Sequence, residues 1–222
     1  GKHNVTAQYL GDDNYNASPN SIVLSLVVNK RTVTITAPTY NSATLTYNGS
    51  EQTICSGGSC TTGGTMYYYT SKDSSTAPTG TAGSAPGTGW STTAIIKKND
   101  AGTYRVWYYC YVSDTANNTG TGINTVTLVT SPSNTKVIGL SKTATASAVT
   151  GLVYNGTTES NGTSQTGTSG TNVTWTGSTT GINAGSYTAY ATPSTNYAWS
   201  DGTTTQKTIT WSIARRGQTA TT

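Results

Sequence analysis

Phenylalanine is absent from this sequence, and histidine, methionine and charged residues are scarce. The chain has one His and one Met, and its charged residues make up only 9% of the total. One histidine cannot supply chemistry that needs clustered imidazoles, and neither a Ser-His-Asp pattern nor a nucleophile elbow is recognisable. We therefore predict that the protein is not an enzyme and needs no cofactor.

Long apolar runs and basic stripes are also missing. No stretch approaches the roughly 18 apolar residues of a membrane span, so we predict no membrane insertion. The net charge of +4 comes from scattered residues such as Lys97-Lys98 and Arg215-Arg216, which do not interleave with aromatics. This pattern argues against nucleic-acid binding.

Targeting signals are lacking as well. The sequence has no initiator methionine and no signal peptide, and it begins in what looks like the middle of a structural unit. We expect it to be a segment of a longer or processed protein, so the missing signals do not indicate the cytoplasm.

Threonine, serine, glycine and asparagine dominate the chain, which also has 15 Tyr and 5 Trp. The aromatic and β-branched residues are regularly spaced, which is typical of strands and not of disordered chains. No window has the pattern of an amphipathic helix of useful length. We predict an all-β chain of several small domains, in which aromatic side chains supply much of the buried area.

Residues 100–112 read as a corner followed by a long strand. Asp100, Ala101 and Gly102 supply turn chemistry, and Gly102 can adopt a positive φ. Alternation then divides the strand into two faces. One face holds Tyr104, Val106, Tyr108, Cys110 and Val112, and the other holds Arg105, Trp107, Tyr109 and Tyr111.

The corner and strand have relatives elsewhere in the chain. Residues 5–9, 104–108 and 187–191 align as alternating strands, and the second and third follow Ala-Gly, at Gly102 and Gly185. After each of the three comes a loop and then a further strand. Each copy therefore ends in a predicted β-hairpin.

The starts of the copies also repeat. Leu45-Thr46-Tyr47-Asn48-Gly49 matches Leu152-Val153-Tyr154-Asn155-Gly156. These starts are 107 residues apart, whereas Tyr104 and Tyr187 are only 83 apart, so the second copy carries about 24 additional residues. We predict four segments: the C-terminal hairpin of an incomplete unit at 1–30, a unit with a long loop insertion at 31–135, a shorter unit at 136–214, and a tail or first strand of a next unit at 215–222.

The Asp100-x-Gly102-x-Tyr104 motif resembles the tyrosine corner of immunoglobulin-like (Ig-like) domains. Together with Gly64-Thr65-Met66-Tyr67-Tyr68-Tyr69 and Leu45-Thr46-Tyr47-Asn48-Gly49, it is similar to bacterial Ig-like repeats. Such repeats occur in large surface proteins of gut Gram-positive bacteria and in structural proteins of the phages that infect them. The resemblance implies tandem Ig-like β-sandwiches. The chain departs from antibody domains in lacking their inter-sheet cysteine pair, since Val106 stands at the usual second position.

Three cysteines, Cys55, Cys60 and Cys110, leave the disulfide pairing open. The short spacing of Cys55 and Cys60 favours a local bond between them. Cys110 is the alternative partner, because by the Ig-like resemblance it would lie near the loop that carries the other two. A fully reduced chain is the third alternative, and the odd cysteine allows an intermolecular bond.

Two groups of residues are candidate ligand sites. Trp107, Tyr109 and Tyr111 could stack on sugar rings, although we favour the alternative that the insertion or a neighbouring sheet covers them. Asp12 and Asp13 could supply oxygen ligands for Ca²⁺, but an Asx-turn in a hairpin loop is favoured, so no metal site is predicted.

The expected function is a non-enzymatic structural or adhesive role, displayed outside the cell on a phage virion or filament, with weak contacts to host or mucosal glycans. The alternatives are a Gram-positive adhesin stalk and a carbohydrate-binding accessory module of a larger enzyme. The partners would be carbohydrate or protein on a cell surface. Self-association through the terminal strands is a further expectation.

Overall fold

A computed structural model describes residues 1–80 and 84–217, and all the regular structure it assigns there is β-strand. Within these residues, no helix has the length and hydropathy needed to cross a bilayer. The prediction of an all-β chain is therefore confirmed. The predicted tail at 215–222 lies partly outside the described residues.

Nineteen strands follow one another along the described chain. The first eleven are β1 (Lys2–Val5), β2 (Leu24–Val27), β3 (Arg31–Thr32), β4 (Ile35–Tyr40), β5 (Leu45–Thr46), β6 (Gln52–Cys60), β7 (Thr65–Lys72), β8 (Ile96–Lys98), β9 (Gly102–Tyr111), β10 (Asn118–Thr119) and β11 (Thr127–Leu128). The others are β12 (Lys136–Gly139), β13 (Thr145–Ala148), β14 (Gln165–Thr166), β15 (Thr168–Thr171), β16 (Val173–Gly177), β17 (Thr180–Gly181), β18 (Gly185–Pro193) and β19 (Lys207–Ile213).

The chain forms two compact units. The first unit comprises 1–41, 53–96 and 104–136, and the second comprises 42–52, 97–103 and the chain from 137 onward. The segment boundaries at 30/31 and 135/136 stay predictions.

Antiparallel pairing organises the first unit. β4 pairs with β6, placing Tyr40 opposite Cys55. β9 pairs with β7 on one side and with β11 on the other, so that Tyr108 lies opposite both Tyr68 and Thr127. The buried core of this unit includes Val33, Ile54, Met66, Tyr68, Ile96, Tyr104, Val106, Val112 and Val129.

The second unit has a comparable set of strands. β18 pairs antiparallel with β16 and β19, and β13 pairs with β15. The rings of Tyr187 and Trp211, which are cross-strand partners, stack with centroids 4.4 Å apart. Ala144, Ala191 and Trp199 form a buried cluster nearby in the chain's second unit.

The repeated Leu-x-Tyr-Asn-Gly segments make the same contact in both copies. The Tyr47 N–H donates to the Gly139 carbonyl at 2.8 Å, and the Tyr154 N–H donates to the Ala214 carbonyl at 2.9 Å. In each case the segment runs parallel to the strand it meets. Two segments matched by sequence therefore have matching backbone environments.

The predicted corners also share a backbone conformation. Gly102 and Gly185 have φ of 155° and 159°, values that L side chains rarely adopt. The Tyr187 hydroxyl donates to the carbonyl of Asn183, four residues upstream, at 2.6 Å. At the other corner, the Asp100 carboxylate accepts a hydrogen bond from the Asn196 amide at 3.0 Å. Tyr104 is buried.

Replacing Gly185 with alanine tests this corner. A Cβ at Gly185 would meet no atom within 4 Å, so only the backbone conformation opposes it. We expect Gly185→Ala to lower the free energy of unfolding by about 1–3 kcal/mol, measured by urea denaturation. Gly87→Ala is the matched control, because its Cβ also meets nothing within 4 Å and its φ lies outside the left-handed region. Equal losses in the two variants would contradict the strain argument.

Candidate functional site

The aromatic row of β9 does not form an exposed surface for sugar stacking. Trp107 is 4% exposed and Tyr109 is 1% exposed, while Tyr111 is half-buried. The sugar-stacking hypothesis is therefore wrong for Trp107 and Tyr109, and for the half-buried Tyr111 it stays a prediction. The alternative, that the row is covered, agrees with their burial.

Part of the cover comes from the insertion of the second copy. The Trp90 ring lies 6.0 Å from the Tyr109 ring and 5.6 Å from the Tyr69 ring, centroid to centroid. The Tyr69 ring in turn contacts the Trp107 ring edge-on at 6.1 Å. Edge-on and tilted arrangements of this kind suit the quadrupoles of aromatic rings. The buried rings of Trp107 and Tyr109 thus belong to an aromatic cluster with Tyr69 and Trp90, whose packing stabilises the fold.

The disulfide joins Cys60 to Cys110, and Cys55 is free and buried. The favoured pairing of Cys55 with Cys60 is therefore wrong, and the alternative with Cys110 is the one formed. Cys55 and Cys60 lie in the same extended strand, β6, which separates their side chains. The Cα atoms of Cys60 and Cys110 are 6.1 Å apart, which is within the reach of a disulfide.

A buried polar contact lies beside Cys55. The Tyr40 hydroxyl accepts a hydrogen bond from the Val106 N–H at 2.8 Å, and Tyr40 is buried. Burial raises the pKa of Tyr40 to about 12 and the pKa of the Cys55 thiol to about 11. Both groups are therefore neutral at physiological pH, and the thiol is not activated for nucleophilic attack.

Asp12 of the acidic pair at the first hairpin loop forms an Asx-turn. One carboxylate oxygen of Asp12 accepts hydrogen bonds from the Asn14 and Tyr15 N–H groups at 2.8 and 2.9 Å, and the other accepts one from the Tyr9 hydroxyl. These bonds, the tyrosine's first, hold the pKa of Asp12 below its usual value. In the described part of the chain, no three His, Cys, Asp or Glu side chains gather as metal ligands would.

A polar groove in the second unit is a candidate site. Its volume is about 600 Å³, within the range of small-ligand sites. The lining residues are Tyr154, Gly156, Thr157, Thr158, Glu159, Asn183, Ala184, Arg215 and Arg216.

Internal hydrogen bonds hold the walls of this groove. The Tyr154 hydroxyl donates to the Thr158 carbonyl at 2.7 Å and accepts from the Gly162 N–H at 3.0 Å. Arg216 donates to the Gly156 carbonyl at 3.1 Å. Guanidinium, carboxylate and amide groups beside one tyrosine ring can hydrogen-bond hydroxyl-rich or acidic ligands.

Sequence reasoning missed this groove. Its residues come from three separated stretches, 154–159, 183–184 and 215–216, which only the fold brings together. In the sequence, Arg215 and Arg216 stood out only as two of the scattered positive charges. Tyr154 stood out only as part of the repeated Leu-x-Tyr-Asn-Gly motif. The adjacent arginines were the one local signal that could have directed attention to it.

Comparisons with protein-family models, with curated proteins and with solved structures gave no match. Inference about function therefore starts from the chain's own repeats and surfaces.

Thiol counting tests the disulfide assignment. We expect no reaction of the native, unreduced protein with a thiol reagent, because Cys55 is buried. The unfolded, unreduced protein should expose one thiol, and peptide mapping should assign it to Cys55. Unfolding with reductant should expose three. A free Cys110 in the unreduced protein would contradict the assignment.

Alkaline pH should weaken the fold through Tyr40 and Cys55. Their ordinary pKa values of 10 and 9 rise to about 12 and about 11 on folding, so the unfolded chain loses these protons first. Each group's full contribution to the free energy of unfolding is present below about pH 9. As the pH rises towards 12, that free energy falls by on the order of 2 kcal/mol for each group.

Urea denaturation from pH 8 upward would measure this loss. Tyr40→Phe and Cys55→Ala should each flatten the decline, whatever their effect at neutral pH. If the free energy of unfolding falls with pH as steeply in both variants as in the original chain, groups other than Tyr40 and Cys55 cause the alkaline loss.

Proposed function

We propose that the chain is a non-enzymatic structural and adhesive protein of tandem Ig-like sandwiches, displayed on a phage virion or an extracellular filament. The observation that carries the proposal is the shared strand pairing of the second and third copies. In each, an early antiparallel pair (β4–β6 or β13–β15) is followed by an antiparallel trio (β7–β9–β11 or β16–β18–β19). Each also has the parallel contact of its Leu-x-Tyr-Asn-Gly segment.

The third copy adds support from its corner. A tyrosine hydroxyl that bonds to a carbonyl a few residues upstream, before a long strand, is a hallmark of Ig-like sandwiches. Tyr187 makes this bond to Asn183 at the start of β18. The pairing pattern and the corner are independent observations that favour the same class.

An adhesive role fits the surface chemistry. Strand β19 of the third copy exposes Thr208, Thr210 and Ser212, and Lys207 is its one charged residue. Hydroxyl-rich surfaces of low charge suit weak hydrogen bonding to glycans. Many copies of the protein in an array would then bind glycans tightly through avidity, although each individual site is weak. A Gram-positive adhesin stalk would use the same scaffold.

The polar groove favours a second candidate, a carbohydrate-binding accessory module of a larger enzyme. Such a module would bind a glycan with one saturable site, using Tyr154, Glu159 and Arg215. The two candidates differ in valency, because the adhesive scaffold needs many copies and the module needs one.

Binding to immobilised mucin glycans should separate the candidates. We expect the monomeric chain to bind below detection and a multivalent array of it to be retained, with an avidity gain of about 10²–10⁴. Saturable binding of the monomer that is lost in Arg215→Gln but kept in Lys72→Gln would favour the module. Lys72 is an exposed residue of β7 and controls for loss of one positive charge. An array without retention would contradict adhesion and leave only a spacer.

A further inference from the structure

Asparagine is followed directly by glycine at three positions of the chain, Asn48, Asn155 and Asn161. Glycine has no side chain to shield its backbone nitrogen, so this nitrogen can attack the side-chain amide of the preceding asparagine. The attack closes a succinimide ring and releases ammonia. Its rate depends on whether the fold lets the two groups meet in the right geometry.

Two of these pairs have nearly the same local sequence. Residues 47–50 read Tyr-Asn-Gly-Ser and residues 154–157 read Tyr-Asn-Gly-Thr, and both stretches belong to the repeated Leu-x-Tyr-Asn-Gly segments. The backbone contacts of the two segments are also alike. A difference in reactivity between Asn48 and Asn155 must therefore come from what surrounds each pair in the fold.

The side chains of Asn155 and Asn161 are held at both ends of the amide. Asn155 Nδ2 donates to the Thr163 hydroxyl at 2.8 Å, and Asn155 Oδ1 accepts from the Thr163 N–H at 2.9 Å. Asn161 Nδ2 donates to the Thr157 hydroxyl at 2.6 Å, and Asn161 Oδ1 accepts from the Thr158 N–H at 2.9 Å. Ring closure at either residue has to break the bond that holds the departing nitrogen.

The glycines that follow these two asparagines are also obstructed. Gly156 is buried, and the Gly162 N–H donates to the Tyr154 hydroxyl at 3.0 Å. The attacking nitrogen must first lose its proton, which creates a negative charge. Burial disfavours that charge, and a hydrogen bond from the N–H holds the proton in place.

Asn48 lies in the opposite environment. Asn48 and Gly49 are both exposed, and a Cβ at Gly49 would meet no atom within 4 Å. Among the residues that the structure describes, no acceptor holds the Asn48 Nδ2 or the Gly49 N–H. The Asn48 Oδ1 does accept a hydrogen bond from the Ser50 N–H, at 3.0 Å. That bond assists the reaction, because a donor at this oxygen stabilises the negative charge that forms on it during the attack.

We propose that the fold makes Asn48 a modification site, at which the chain converts itself to aspartate and isoaspartate. The Gly49 nitrogen bonds to the Asn48 Cγ, the Cγ–Nδ2 bond breaks, and the nitrogen leaves as ammonia with the proton that Gly49 gave up. Water then opens the ring. Cleavage of the bond to Cγ gives aspartate, and cleavage of the bond to the Asn48 backbone carbonyl gives isoaspartate. The net change is uptake of water and loss of ammonia, with no oxidation or reduction.

Both products change the surface at this turn. Each carries a carboxylate in place of the amide, which removes one unit from the formal net charge of +4. The new charge lies at a groove of about 230 Å³ that Ser141, Thr143 and Asn172 also line, and whose lining is otherwise uncharged. The modification depends on neither the adhesive function nor glycan binding, so its success or failure is independent of both.

Peptide mapping of the whole chain tests the proposal. The native protein is aged at mildly alkaline pH and then digested at acidic pH, where further deamidation is slow. Mass spectrometry gives the converted fraction at each asparagine, and an isoaspartyl methyltransferase identifies isoaspartate. We expect Asn48 to convert about tenfold or more faster than Asn155 or Asn161, because two hydrogen bonds restrain each of the others.

Ageing in concentrated urea is the control without the fold. There the three asparagines should convert at rates within about threefold of one another, because each precedes glycine. An equally strong preference for Asn48 in urea would overturn the proposal, since local sequence would then select it. Native conversion of Asn155 or Asn161 as fast as that of Asn48 would overturn it as well. Aspartate formed without isoaspartate would contradict the succinimide route.

A substitution at Thr163 tests why Asn155 is protected. Thr163→Ala removes the acceptor of the Asn155 Nδ2 at an exposed position. We expect conversion of Asn155 to rise by about threefold or more, while that of Asn48 is unchanged. The matched control is Ser164→Ala, which removes a neighbouring exposed hydroxyl that has no hydrogen bond to the described residues. Equal Asn155 rates in the two variants would overturn the hydrogen-bond argument on which the ranking rests.

Discussion

Burial on both sides of β9 is the constraint on which the first unit depends. One side of this strand carries Tyr104, Val106 and Cys110, and the other carries Trp107 and Tyr109. Exposing either side to water would be unfavourable, and all five side chains are buried. It pairs with β7 and β11 along its edges, and the Trp90 segment lies against its aromatic row. The long insertion of the second copy thus has a structural use, since it supplies an aromatic ring to a surface that would otherwise be exposed.

The long strand of the third copy, β18, is buried on one face only, and its composition differs. The strand places alanines at 189 and 191, and the bulk comes from Trp199 and Trp211 outside that strand. Small residues on one strand and large ones on its neighbours fill a comparable core volume. The second copy places its rings on β9 itself and therefore needs an additional segment over them. The additional residues of the second copy include Trp90, whose ring lies against Tyr109.

Features that depend on neighbouring residues in the sequence could be predicted. Features that depend on contacts between residues far apart in the chain could not. The strand alternation of residues 104–112 and the glycine corners are local, and both are present in the structure. The partner of Cys60 depends on how β6 is placed against β9, which spacing along the chain does not report. The polar groove gathers 154–159, 183–184 and 215–216 from three stretches, so no single motif announces it. The sugar-stacking hypothesis for the aromatic row has the same limit, because alternation gives the faces of a strand but not what lies over them; the favoured alternative of a covered row agrees with the burial of Trp107 and Tyr109.

The disulfide bond between Cys60 and Cys110 also limits the end-to-end length to which the unfolded chain can be stretched. It encloses a sequence separation of 50 residues, including all of β7 and β8 and most of β9. An extended chain covers at most ~3.3–3.6 Å per residue, so about 165–180 Å of contour length is withheld while the bond is intact. A tether made of such units would stop short under load in an oxidising medium and lengthen further in a reducing one. Reduction of this one bond therefore lengthens the unfolded chain by that contour length.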